Sequence, residues 1–216
     1  MPAKVSTLEA ATHWGSPSPY TLARHTTGSS RLAVLFPGQA YPVDAPLLYY
    51  AGRAAFESGC DVLGIEYGYV TNRKSLEAQD FAALVSEVFA GIAGVLADPY
   101  SSIVFIAKSL GTAVASEIAT LSSTPVDNHV FLTPVRRTIP FLQGAVRALV
   151  IVGDRDPLFG REDVGQLAPF SNVRTHVEQG ADHSLYVEGD HMKSLQVLRD
   201  ATGLCAQFCA AMNGEK

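Results

Sequence analysis

Charge is scarce in this sequence. Asp, Glu, Lys and Arg make up 17% of its 216 residues, against about 25% in an average soluble chain. A basic surplus is missing as well. Sixteen Lys and Arg stand against 21 Asp and Glu, a net charge of −5, so nothing offers to neutralise a nucleic-acid backbone or an anionic membrane surface. Unbroken apolar runs such as Leu32–Phe36 and Ala148–Val152 are short, far from the 18 or so residues of a membrane span, and no membrane insertion is expected. The three cysteines are an odd number and form no CxxC pair, which favours a reduced, cytoplasmic setting. Met1–Gly15 mixes Lys4, Glu9 and His13 with small residues and has no apolar core, so a secretory leader is not expected.

Cofactor signatures are absent too. Neither HExxH nor a glycine-rich phosphate loop occurs, and no metal or cofactor is expected, although Asp182, His183, Asp190 and His191 have the chemistry of metal ligands. Cys205 and Cys209, four apart at helical spacing, read as core residues.

What the chain does have is 47% hydrophobic residues in a length that suits one domain, 1–216. Leu32–Phe36, Asp61–Tyr67, Ile103–Ala107, Val130–Leu132, Ala148–Val152 and Val173–Glu178 are β-branched or aliphatic runs, the pattern of strands buried on both faces of a mostly parallel sheet. Between them Phe81, Leu84, Val85, Val88, Ile92 and Val95 step by threes and fours. Val114, Ile118 and Leu121 do the same, as do Leu195, Leu198, Cys205, Phe208 and Met212. Strand–helix alternation predicts a doubly wound α/β sandwich with helices on both faces of the sheet. Gly15-Ser-Pro-Ser-Pro19 reads as a turn. In such sheets ligands bind beyond the carboxyl ends of the strands, so chemistry is sought there.

The third of these runs ends in Ala107-Lys108-Ser109-Leu110-Gly111, followed by a helix of small residues. This resembles the nucleophile elbow of α/β-hydrolases, with Ala107 in place of the first glycine of G-x-S-x-G. A sharp strand-to-helix turn admits only small side chains two residues either side of the serine, and it sets Ser109 at a helix N-terminus that favours developing negative charge. By itself the motif is also satisfied by a serine that merely caps a helix. A serine nucleophile, however, needs a base and an acid, in the order Ser, Asp or Glu, His. Gly153-Asp154-Arg155-Asp156-Pro157-Leu158 and Gly180-Ala181-Asp182-His183-Ser184-Leu185 lie where that order requires. Both turns resemble those of small hydrolases of the dienelactone hydrolase group.

The resemblance spans Leu32 to His183 and identifies the chain as a member of the α/β-hydrolase superfamily, similar to its small single-domain esterase-like members. It implies Ser109 as nucleophile, His183 as base and Asp156 as acid. The period-2 pattern leaves Asp154 open as the acid, and Asp182 is expected to cap its own turn. An oxyanion hole would draw on the N–H of Leu110 and, from Pro37-Gly38-Gln39-Ala40-Tyr41-Pro42, on that of Gln39 or its neighbour Ala40. The N-terminal segments Val5–Thr12 and Tyr20–His25 would supply the antiparallel edge of the family's sheet.

These elements imply hydrolysis of a carboxylic ester or thioester through an acyl-enzyme. Lids of this superfamily are commonly inserted after the sixth strand, and the 15 residues Thr133–Arg147 leave no room for a folded cap. An open site suits a small-molecule acyl substrate or a docked acylated polymer or protein. Lys108, Arg136 and Arg137 are candidates to receive an anionic substrate, or else solvated surface cations. Tyr41, Tyr49 and Tyr50 are candidates to line the cleft. The competing reading is a non-catalytic binding module on the same fold.

Overall fold

The computed structural model describes residues 2–144 and 147–212. Eight strands form one sheet: β1 (Ala3–Thr12), β2 (Gly15–His25), β3 (Arg31–Phe36), β4 (Asp61–Gly64), β5 (Ser102–Ser109), β6 (Asn128–Pro134), β7 (Arg147–Gly153) and β8 (Val173–Glu178). Their spatial order is β1-β2-β4-β3-β5-β6-β7-β8. β1 and β2 are antiparallel, as are β2 and β4, and every later neighbour is parallel. Among the described residues six α-helices lie between strands, α1 (Pro46–Glu57), α2 (Gly68–Thr71), α3 (Phe81–Leu96), α4 (Leu110–Leu121), α5 (Ile139–Leu142) and α6 (Arg161–Leu167), and α7 (His191–Ala211) follows β8.

The central strands are apolar throughout, but their alternate residues feed two different layers. Leu32, Val34 and Phe36 of β3 join Phe105, Phe131, Val150 and Val152 against α3 and α4. Ala33 and Leu35 join Val104, Ile106, Leu132 and Ile151 against α1 and α7. This second layer also holds Cys60, Cys205 and Cys209, all free and buried. The helical stretch Ala78–Leu96 is long and apolar enough to cross a membrane, although no unbroken apolar run is. Its Leu84, Val85, Val88, Ile92, Val95 and Leu96 are buried in the first layer.

Two sequence expectations need correction, and one helix went unexpected. The expected turn at Gly15–Pro19 is the start of β2, and the chain reverses at His13-Trp14 instead. Proline and the residue before it both favour extended backbone, and the side-chain amide of Asn72 bonds both the N–H and the C=O of Ser16, as a neighbouring strand would. The strand expected over Asp61–Tyr67 ends at Gly64, where its neighbour β2 stops pairing. α1 carried no clear signal in a small-residue stretch, yet Pro46 opens it and Leu47, Leu48, Ala51 and Ala55 bury its inner face. Between β6 and β7 the described residues hold only short helical turns and α5, and 145 and 146 lie outside the described residues.

His129 is buried in β6 among the rings of Phe105, Phe131 and Phe141, with its Nε2–H donating to the Val126 carbonyl at 3.0 Å. Burial pushes this imidazole down from its ordinary 6.5 to about 4. The unfolded chain takes up a proton at about 6.5 that the folded chain refuses until about 4, so stability falls as pH drops through that window. His129→Phe is expected to remove about 3 kcal/mol of the acid destabilisation between pH 7 and pH 4, read as the difference between urea-unfolding free energies of the two proteins at each pH.

Candidate functional site

β5 runs into α4 with no intervening loop, and the junction falls on Ser109, whose backbone sits at φ 52°, ψ −120°. Positive φ is costly for a residue with a Cβ and persists only where the surroundings impose it. Here Gly111 imposes it. A Cβ on Gly111 would meet the Pro37 and Phe36 carbonyl oxygens at 2.5 and 2.6 Å, so only glycine lets the first turn of α4 lie against the end of β3. Ala107, where the motif has glycine, is fully buried.

Ser109 Oγ lies 2.7 Å from His183 Nε2, and His183 Nδ1 lies 2.7 Å from Asp156 Oδ2. The Asp156 side chain is fully buried, and its second oxygen accepts the N–H groups of Leu158 and Phe159 at 2.8 and 3.2 Å. Asp154 points elsewhere and accepts the Gly180 N–H at 2.6 Å. Asp182 accepts the N–H groups of Ser184 and Tyr186 at 2.7 and 3.0 Å, so it ties the turn that carries His183. Of the two carboxylates left open by the sequence, Asp156 is the one hydrogen-bonded to the imidazole, while Asp154 bonds the Gly180 N–H.

The loop after β3 stands against this group, with Gly38 close to the Ser109 Cβ. Its Gly38 N–H donates to the Tyr41 carbonyl at 2.9 Å. Two phenols not singled out in the sequence hold its carbonyls: Tyr67 donates to Pro37 O at 3.0 Å and Tyr69 to Gln39 O at 2.6 Å. Burial pushes the Tyr69 phenol up to about 12 and that of Tyr67 well above its ordinary value, so both stay protonated donors. Nothing in the sequence pattern separates these tyrosines from packing residues. Leu110, which follows Ser109, opens α4, where the first N–H groups have no partner within the helix.

A cavity of about 420 Å3 lies along the same loop. Gln39, Ala40 and Tyr41 line it, and its charged lining residues are Asp44 and Glu66. Tyr49 lines a separate groove of about 190 Å3 between α1 and the sheet edge, and Tyr50 stands exposed beside it. The cations expected to meet an anionic substrate are engaged elsewhere. Arg136 donates to both oxygens of Asp163 at 2.9 and 3.0 Å, and Arg137 reaches Glu117 and lies over the Phe81 ring. Lys108 is neither a surface cation nor an open receptor, because it is buried beneath the site.

Gly153 lets the turns that carry Asp156 and His183 meet. A Cβ there would lie 2.0 Å from the Ala181 carbonyl oxygen and 2.8 Å from that of Asp182. Backbone atoms on both sides leave no room to relax, so Gly153→Ala is expected to destabilise the protein by about 3 kcal/mol, measured by chemical denaturation.

Residues 31–210 match the family model described as an alpha/beta hydrolase domain. No curated protein sequence matches the chain. Among solved structures it is similar to a dienelactone hydrolase from Anabaena variabilis, at 16% identity and TM-score 0.74, covering 98% of each chain. It is also similar to an α/β serine hydrolase without lid from Xanthomonas campestris, at 15% identity and TM-score 0.71, covering 99% of this chain and 96% of that one. An α/β serine hydrolase homologue from Coxiella burnetii aligns at 16% identity and TM-score 0.69, over 92% of this chain and 96% of that one.

Proposed function

The chain belongs to the alpha/beta hydrolase domain family, and we propose that it is a serine hydrolase that cleaves a carboxylic ester or thioester through an acyl-enzyme on Ser109. The observation that carries this reading is the unbroken hydrogen-bonded series Ser109 Oγ, His183, Asp156, ending on a strained serine at a helix N-terminus. His183 takes the hydroxyl proton as Ser109 Oγ attacks the carbonyl carbon, and later returns it to the leaving alcohol or thiol. Asp156 fixes the imidazole tautomer and stabilises the imidazolium. The oxyanion is received by the N–H groups of Leu110 and Gln39, with Ala40 next in line. Tyr69 grips the Gln39 carbonyl and Tyr41 occupies the Gly38 N–H, which holds the peptide units on either side of the Gln39 N–H in place. Water then attacks the acyl-enzyme with His183 again as base.

The cavity beside the Gln39 loop gives the substrate a polarity. Its carboxylates, Asp44 and Glu66, the latter accepting the Thr71 hydroxyl at 2.7 Å, meet no cation among the described residues and favour a neutral or cationic acyl ester over a carboxylate-bearing one. The cytoplasmic setting expected from cysteine usage belongs to this proposal, and it fits three thiols that remain unpaired.

Ser109→Ala is expected to abolish hydrolysis of an activated short-chain ester and covalent labelling by a fluorophosphonate, with the unfolding midpoint kept near that of the parent. Labelling that persists in this variant would refute the assignment, and a wild-type protein that neither labels nor turns over would favour a binding module. Asp156→Asn is expected to lower kcat by about 10⁴-fold, whereas Asp154→Asn leaves the chemical step intact. Across matched esters that differ only in one charge, kcat/KM is expected to fall in the order cationic, neutral, anionic.

A further inference from the structure

Lys108 is, among the described residues, the one buried lysine or arginine, and the proposed mechanism leaves it unused. It is 2% exposed, yet its Nζ donates to Thr133 Oγ1 at 3.1 Å and to the His183 carbonyl oxygen at 3.1 Å, and it lies 4.8 Å from the centre of the Tyr41 ring. These three contacts belong to three separate segments. Thr133 is near the end of β6, with its own backbone at positive φ, 44°. His183 lies in the turn after β8. Tyr41 closes the loop after β3, accepting the Gly38 N–H with its carbonyl and the Leu47 N–H with its hydroxyl oxygen. Lys108 itself directly precedes Ser109.

We propose that Lys108 is a positioning residue, whose ammonium ties the turn carrying His183 to the loop carrying Gln39 and so holds the base and the oxyanion donors in register with Ser109. This rests on the serine-hydrolase reading for its catalytic consequence, while the tether itself rests on the contacts alone. An ammonium serves better than an amide because it offers three donors without needing an acceptor and also attracts the face of an aromatic ring. Its presence opposes stability. Burial pulls the ammonium down from its ordinary 10.5 to about 8 against the attraction of Asp156 and Asp182. A methionine of similar length would fill the space without that desolvation cost.

The titratable groups around the ammonium are Tyr41 from the loop after β3, Asp156 from the turn after β7, and His183 and Asp182 from the turn after β8. As pH rises through about 8 the amine loses its charge, and with it the attraction to the Tyr41 ring. It retains only two N–H donors. The tether therefore weakens on the alkaline side.

Three measurements on Lys108→Met test this. In steady-state kinetics kcat is expected to fall about 10- to 100-fold with KM within a factor of two or three, the mark of misplaced reacting groups. The wild-type fall in kcat above pH 8 is expected to vanish in the variant. By hydrogen exchange, segments 37–42 and 181–187 are expected to exchange faster than in wild type while α3 and α7 exchange as before, with the melting temperature not lowered. Thr133→Val, which removes one anchor and leaves Lys108 in place, is expected to change the same readouts in the same direction by less, and it serves if Lys108→Met does not fold. Unchanged kcat together with unchanged exchange of both loops overturns the proposal. So does a general rise in exchange with a lower melting temperature, which would mark Lys108 as a stabilising residue only. If wild type neither turns over esters nor labels, the hydrolase reading fails, and the exchange measurement still decides whether the tether exists.

Discussion

One residue is held where it would not go on its own. Ser109, with a side chain and positive φ, joins a strand to a helix with no loop between them. Its conformation is bearable only because α4 is pressed against the end of β3, through a glycine whose Cβ position is already filled by carbonyl oxygens. The same contact brings the loop after β3 beside the hydroxyl, so under the proposed reaction the strain at Ser109 would also fix where an oxyanion is received. A second close approach, between Gly153 and the Ala181 carbonyl, does the same for the turns that carry Asp156 and His183. The site is thus an outcome of backbone meeting backbone, and its side chains are placed almost as by-products.

The cost of this placement is visible at Lys108. A charge enclosed by Thr133, Tyr41 and a carbonyl lowers the stability of the fold at neutral pH, and the residue sits where folding alone would select an apolar side chain. Local rules that fail beside a strained, hydrogen-bonded serine are the expected trace of a functional site.

Much of the architecture was legible because central strands and core helices have strong periods. Six parallel-sheet strands, α3, α4 and α7 all lie over the stretches where apolar spacing put them, with β4 stopping at Gly64, short of its expected end. The fold's remaining parts depend on contacts that spacing does not encode. Pro17 and Pro19 signalled a turn, yet Asn72 from a distant segment supplies the missing strand neighbour. The chain order of Ser109, Asp156 and His183 could be read because each follows a strand, but the choice between Asp154 and Asp156 turned on a distance that two carboxylates of equal parity cannot reveal. Lys108 read in sequence as a substrate-facing or solvated cation, because its burial comes from the turn after β8 and the loop after β3, neither of which is near it in sequence. Tyr67 and Tyr69 carried no signal at all, since a phenol that grips a carbonyl looks in sequence like one that only packs.

The three cysteines, all within the layer between the sheet and helices α1 and α7, have a practical consequence. None offers a thiol to solvent in the folded protein. Alkylation by a small thiol reagent therefore becomes a clock for the opening of that layer, since a sulfur reacts only while the C-terminal helix is away from the sheet. A single cysteine introduced on the surface would be modified long before the native three, so the molecule accepts a site-specific label without first losing its own thiols.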